Sequence, residues 1–293
     1  MSGFSADWLA LREPYDARAR NPAVLDAVIA SLKAFRSIRI VDLACGTGST
    51  LRALSPRLAA QQNWRLADND LGLLARASAM PLPAAVTVTA VPLDLNRDLE
   101  AVLDGPVDLI TTSALLDLVS QPWLERLAVE IVTRSIPLYA ALSYDGRIEL
   151  GPADPLDTAI IAAVNAHQRT DKGFGPALGP TAVSVAIARF EGLGYSVVHG
   201  TSDWVIGPHD REFQMEIFGG WAGAARDIGN LPLSDTVEWL TRRRDAVAAG
   251  RSSIRVGHVD FFAAPTGTRW ADRSQSNSTS SSSRWACTGM RKA

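Results

Sequence analysis

The chain has 293 residues, 47% of them hydrophobic and 20% charged, the balance of a globular protein of one large or two small domains. Its 29 Lys and Arg against 31 Asp and Glu leave a formal charge of −2, which excludes a chain built around broad phosphate neutralisation. Two cysteines, Cys45 and Cys287, exclude a disulfide scaffold and an all-thiolate metal site, and no metal is expected.

Residues 1–7 carry no basic segment followed by an apolar run, so no secretory leader is expected. No window approaches the roughly 18 apolar residues of a membrane span. A cytoplasmic protein without membrane contact is the expectation. Residues 5–35 read as helical. Ser5 or Asp7 caps the first turn, Pro14 is expected to break the helix, and Pro22 restarts it. Val24, Leu25, Val28, Ile29 and Leu32 then form one apolar face.

From Ile38 the pattern alternates. Strands are expected at 38–43, 64–68, 86–93, 107–112 and 137–143, with helices at 49–58, 71–79 and 115–133 between them. Such alternation builds βαβ units and a parallel sheet. The second half adds a helix at 154–168, a loop at 170–180 rich in Gly and Pro, a helix at 181–193 and a strand at 195–205. Helices at 209–227 and 234–249 follow, the second capped by Ser234 and stopped by Gly250, and then a last strand at 254–262. Residues 273–284 hold seven serines in twelve positions and no apolar residue, so residues 266–293 are expected to be a disordered tail.

The segment Val41-Asp42-Leu43-Ala44-Cys45-Gly46-Thr47-Gly48 joins the first strand to a helix. Its glycines allow a sharp turn that brings backbone N–H groups against a ligand. A third glycine of the dinucleotide fingerprint would fall at Leu51, and the Lys of a phosphate-binding loop is missing, which counts against a dehydrogenase and an NTPase. Asp68 ends the second strand, Asp94-Leu95 follows the third, and Asp108 to Asp117 reads DLITTSALLD around the fourth. In this order and spacing the four segments resemble those of the class I S-adenosylmethionine-dependent methyltransferases.

The resemblance implies an α/β fold, a Rossmann-like seven-stranded mostly parallel sheet in the order 3-2-1-4-5-7-6. The last strand is antiparallel and helices cover both faces. It divides the chain into an N-terminal helical cap (1–36), a methyltransferase domain (37–265) with helical insertions at about 150–180 and 208–250, and the tail. It implies S-adenosyl-L-methionine as cofactor. Asp42, Ala44, Gly46 and Gly48 would line the methionine end, Asp68 and Asn69 the ribose, Asp94 and Leu95 the adenine, with Ser113 beyond strand four. Arg12 or Arg18 would pair the methionine carboxylate. Asp117, Tyr144 and His167 are the candidates for a catalytic base. Tyr144 to Arg147 are expected as a loop beyond strand five, and His167 to Gly175 as part of a lid over the acceptor. Cys45 reads as a small buried filler, Asp70 as a helix cap, and Trp204 and Trp221 as core.

The function implied is methyl transfer to an acceptor. Strand four reads Thr111-Thr112-Ser113-Ala114, without the Asn-Pro-Pro-aromatic motif of enzymes that methylate nucleic-acid amino groups, and the net charge is near neutral. Both point to a small molecule and away from nucleic acid. Macromolecule methylation, of protein or RNA, and a non-catalytic cofactor-binding homologue are the alternatives. The sequence carries no signal for oligomeric state.

Overall fold

The computed structural model describes residues 4–267. Helices α1 (Ala6–Ala19) and α2 (Pro22–Leu32) precede the sheet. Then β1 (Ser37–Leu43), α3 (Ser49–Leu54), β2 (Gln61–Asp68), α4 (Leu71–Ser78) and β3 (Val86–Pro92) alternate. They are followed by α5 (Leu99–Val102), β4 (Leu109–Ser113), α6 (Gln121–Thr133) and β5 (Leu138–Gly151). The remainder comprises α7 (Asp157–His167), α8 (Ala182–Gly192), β6 (Tyr195–Thr201), β7 (Trp204–Ile206), α9 (Arg211–Ile228), α10 (Leu233–Ala248) and β8 (Ser253–Pro265).

The strands form one sheet ordered β3-β2-β1-β4-β5-β8-β6, with β7 paired to β8 off that path. Strands β1 to β5 run parallel, and β8 runs antiparallel to β5, β6 and β7. This is the Rossmann-like sheet expected from the sequence, with one short strand added. Along β1, Ile38 and Ile40 enter a core with α2, α3 and α4, whereas Val41 and Leu43 enter one with α6 and α8. Both faces are covered, which is why β1 reads as a continuous apolar run. A third core gathers α1, α7, α9, α10 and β7 with the start of β8.

Several boundaries differ from the expectation. Pro14 lies inside α1 and does not break it. Its lost hydrogen bond is offset because Trp8, Leu11 and Tyr15 pack into the third core and Arg12 bridges to Asp16 across the proline. Helix α6 starts at Gln121 rather than Leu115, because Leu115, Leu116 and Val119 are buried in a turn and Ser120 supplies the cap. Strand β5 continues through Tyr144 to Arg147, so those residues lie within the strand and not in a loop beyond it. Two irregularities bend it there, at Leu142 (φ 54°) and Gly146 (φ 88°). The strand expected at 195–205 is divided at Ser202-Asp203. Pro232, not Ser234, occupies the N-cap of α10, and the Ser234 hydroxyl donates to Asp235. The tail expected to be disordered lies outside the described residues. Among the described residues, no helix is long and apolar enough to cross a membrane.

A buried polar network ties these layers together. Arg20, 4% exposed at the end of α1, donates to the Tyr139 hydroxyl of β5 (3.2 Å) and to Thr50 Oγ1 of α3 (3.4 Å). Tyr139 donates to Asp260 Oδ2 of β8 (3.3 Å), and Asp260 also accepts from the Asn21 and Leu142 amides (2.9 and 2.8 Å). Burial works against the charge of Arg20, but Tyr139, Asp260 and Asp16 outweigh it and its pKa is raised. Arg20→Met should therefore cost about 3 kcal/mol in urea unfolding, because it strands a buried carboxylate. Tyr139→Phe should cost nearer 1 kcal/mol. Equal, small losses in the two variants would show that the network is dispensable.

Candidate functional site

The chain turns between β1 and α3 through Ala44, Gly46 and Gly48, all three left-handed (φ 52°, 54° and 83°). Left-handed backbone suits glycine, and alanine is tolerated there at a cost. The turn is held by Cys45 N–H to Ala67 O (3.0 Å) and Gly48 N–H to Cys45 O (2.9 Å). Asp68, at the end of β2, accepts from the Gly46 amide at Oδ2 (2.8 Å) and from the Asp70 amide at Oδ1 (3.0 Å). Asp70 in turn caps α4 through the Gly72 and Leu73 amides. Asn69 beside it is exposed.

Asp42 is fully buried at the end of β1. Its Oδ1 accepts from Thr111 Oγ1 of β4 (2.7 Å), and its Oδ2 has no protein partner. Burial pushes its pKa up to about 7, against the opposing pull of Thr111 and Arg20. Asp117 lies in the turn beyond β4. It is 5% exposed, and its Oδ1 likewise has no partner. Burial raises its pKa to about 6, while hydrogen bonding by its own and the Tyr144 backbone, and nearby Arg12, restrain the rise. Ala114, between Ser113 and Asp117, is another left-handed residue (φ 51°), so β4 ends as sharply as β1 does. Ser113 is half-buried.

Asp94 follows β3 and folds back onto the Asn96 amide (2.9 Å). Leu95 is buried, and its carbonyl accepts from Trp123 Nε1 (2.8 Å). The Gly-rich loop reaches this end of the sheet. Gly173 O accepts from Asn96 Nδ2 (3.1 Å), Phe174 packs edge-on to Trp123, and the Leu178 and Gly179 amides donate to Val119 O and Asp117 O (2.8 and 3.0 Å).

Helix α1 lies over the turn. Leu9 Cδ1 comes within 3.2 Å of where a Cβ on Gly46 would sit. Glu13 pairs with Arg52 of α3, which also donates to Thr47 O (2.6 Å). Arg12 is bound bidentately by Asp16 (2.9 and 3.2 Å) and stacks over Trp204 of β7 (4.8 Å), whose Nε1 donates to the same Asp16 (2.9 Å). Arg18 is exposed and lies over Tyr15 (4.5 Å). Of the two arginines, only Arg12 is brought near Asp117.

The catalytic candidates separate in the same way. Tyr144 stands beside Asp117, but its hydroxyl is committed to Asn165 Oδ1 of α7 (2.7 Å) and burial raises its pKa. His167 lies at the far end of α7. It is 3.6 Å from Asp227 of α9 and 3.3 Å from Lys172, with its pKa lowered by burial and by Lys172.

Sequence reading missed Glu13, Asp16, Thr111 and His258, and gave Trp204 only a core role. His258 of β8 pairs with Tyr144 in the register of the strands and packs on Trp204 (4.7 Å). Burial and Arg12 depress its pKa to about 3, and Nδ1 lies 3.1 Å from Val256 O. Apart from the i,i+4 pair of Arg12 and Asp16, these residues approach through long-range packing, which leaves no local spacing to detect. Cys45 is buried, with its thiol pKa pushed upward by burial, as suits a filler. Among the described residues no cluster of three or more His, Cys, Asp or Glu could hold a metal ion.

No protein-family model matches the chain, and no curated protein is similar to it. Among solved structures, a cyclopropane-fatty-acyl-phospholipid synthase-like protein from Lactobacillus casei is similar at 12% identity and a TM-score of 0.51, covering 89% of this chain and 94% of that one. A methyltransferase from Geobacter sulfurreducens in complex with S-adenosyl-L-homocysteine matches at 16% identity and 0.45, covering 91% and 100%. A cyclopropane synthase from Mycobacterium tuberculosis matches at 11% and 0.46, covering 89% and 94%. The likeness to the Lactobacillus protein is one of fold.

The elevated carboxyl of Asp42 has a consequence for stability. Its folded pKa of about 7 lies above the ordinary 3.8, so folding takes up a proton between those values. Its contribution therefore becomes less favourable as pH rises across that window. Asp42→Asn should flatten the dependence of the urea midpoint on pH between about 4 and 7. An unchanged slope would show that Asp42 titrates normally.

Proposed function

We propose that this protein transfers a methyl group from S-adenosyl-L-methionine to a small-molecule acceptor. The observation that carries the reading is the convergence of Asp42, Asp68 and Asp117 at the carboxyl ends of β1, β2 and β4, around the Ala44–Gly48 turn. Two of these carboxylates hold a buried oxygen without a protein partner. Ligands of open α/β sheets bind at this edge. Arg20 and Arg12 offset the charge of Asp42 and Asp117 only in part, and the unpartnered buried oxygens favour a cationic ligand. The cofactor supplies that charge, and when bound it offers an electrophilic methyl on a sulfonium.

The residues fit the group. Each Asp68 oxygen has one amide donor and keeps a lone pair for a ribose hydroxyl. Asp42 balances positive charge near the turn. Gly46 and Gly48 keep side chains out of the crevice. Asp94 and Leu95 border the adenine, with Asn69 at the ribose edge and Ser113 and Ala44 at the methionine end. Arg12, already paired with Asp16, anchors α1 over the site. Asp117 is the favoured proton acceptor. Its pKa of about 6 leaves it ionised at neutral pH yet poised to take a proton from a hydroxyl or amine. Tyr144 orients it through the backbone, and Trp204 and Tyr144 offer aromatic walls for the acceptor.

In this reading residues 37–265 hold the cofactor, and α1 with the helices of the two insertions closes the acceptor side. Cytoplasmic placement accords with the same reading. A non-catalytic homologue is the second reading, favoured by the packing of Leu9 over Gly46, which narrows the crevice.

Asp68→Ala should weaken S-adenosylhomocysteine binding by about 1–3 kcal/mol in calorimetry. Unchanged affinity would remove Asp68 from the ribose. Asp117→Asn should depress turnover on a panel of hydroxyl and amine acceptors while cofactor-product affinity stays within about twofold. Tight binding with no turnover on any acceptor by the unmodified chain would favour the non-catalytic homologue.

A further inference from the structure

Helices α9 and α10 form an antiparallel hairpin whose inner side belongs to the third core. Its outer side is a recess of about 270 Å³ lined by Gly219, Gly223, Leu233, Val237, Leu240 and Arg244. Leu233 and Val237 are 62% and 54% exposed, two of the largest apolar exposures among the described residues. With Leu240 and Arg244 they make one stripe at helical spacing, i, i+4, i+7, i+11. An apolar stripe beside a recess on a soluble surface marks an interaction site.

The charges around the stripe are self-complementary. Arg242 and Arg243 are held by Asp154 and Asp157. In contrast, Arg226, Arg244 and Asp245 make no ion pair among the described residues, and Asp227 meets His167 at 3.6 Å and lies within electrostatic range of Lys172. The end of α9 therefore presents Arg226-Asp227, and the end of α10 presents Arg244-Asp245. We propose that this face is a self-association surface, on which a second copy docks its α10 antiparallel to the first about a two-fold axis near Val237 and Leu240. In that arrangement the exposed Leu233 and Val237 of each copy enter the recess of the other. Arg244 of one copy meets Asp227 of the second, and Asp245 meets Arg226. A closed, isologous dimer needs only this self-matching of a single patch.

The chain's own C-terminal residues fit the recess less well. Residues 268–293 carry five basic residues against one acid, Asp272, and the rim of the recess already presents Arg226 and Arg244. Among the described residues only two strongly exposed apolar side chains, Leu233 and Val237, anchor the patch, so the dimer is expected to be weak, with a dissociation constant on the order of micromolar.

Sedimentation velocity across a concentration series tests this, with far-UV circular dichroism to verify folding. The unmodified chain should show a concentration-dependent monomer–dimer equilibrium. Val237→Glu should weaken it by about tenfold or more, and Leu233→Ser, at a position half in solvent, should do the same without disturbing the fold. Asp245→Arg should weaken it, and the double change Asp245→Arg with Arg226→Asp should restore it, a recovery that a folding defect would not give. A chain that stays monomeric at every concentration would overturn the proposal. So would a dimer indifferent to these substitutions, or one that forms only after residues 268–293 are deleted.

Discussion

Arg20 is the constraint on which much of this structure depends. It is a guanidinium removed from water at the junction of the N-terminal helices and the sheet. Its charge is tolerable only because Tyr139 relays it to Asp260 and because Asp16 and Asp42 lie in range. Asp260 in turn fixes the Asn21 amide at the start of α2 and the Leu142 amide at the bend of β5. One buried cluster thus sets where the helices enter, where β5 bends, and how β8 lies between β5 and β6. The bend carries Tyr144 to the side of Asp117.

The candidate site is built by the ends of strands rather than by any one loop. Strands β1 and β4 both stop in left-handed alanines, Ala44 and Ala114, which turn the chain away from the sheet within one residue. The carboxylates that precede and follow those turns, Asp42 and Asp117, are left buried at adjacent strand ends. Burial raises the pKa values of Asp42 and Asp117, and the unpartnered oxygens of both measure how much solvation a ligand would have to replace.

Helix α1 joins two cores. Its Trp8, Leu11 and Tyr15 pack with α9 and β7, while Leu9 and Glu13 reach the Gly46 turn and Arg52. Any change in the turn is therefore felt by the helical layer above it, and the reverse holds too. The same layer exposes the outer face of the α9–α10 hairpin, where Leu233 and Val237 stand in solvent.

The sheet order followed from the family resemblance, and sequence alone determined the alternating strands and helices, the glycine turn and the acidic residues at the strand ends. It could do so because these depend on local periodicity, on backbone freedom at Gly46 and Gly48, and on short spacings along the chain. It misread Pro14, since tertiary packing holds α1 together across a residue that breaks an isolated helix. It treated Tyr144 to Arg147 as loop, since the pairing that keeps them in β5 comes from β8, over a hundred positions away. It gave Arg18 a role beside the site, although Arg18 lies exposed over Tyr15 on α1, and offered His167 as a base, although that ring is engaged by Asp227 and Lys172. Arg20, Asp16, Trp204, His258 and Asp260 are distant in sequence and meet only when the sheet closes, so tertiary structure alone decided which charges are buried together and which carboxylates are left without a partner.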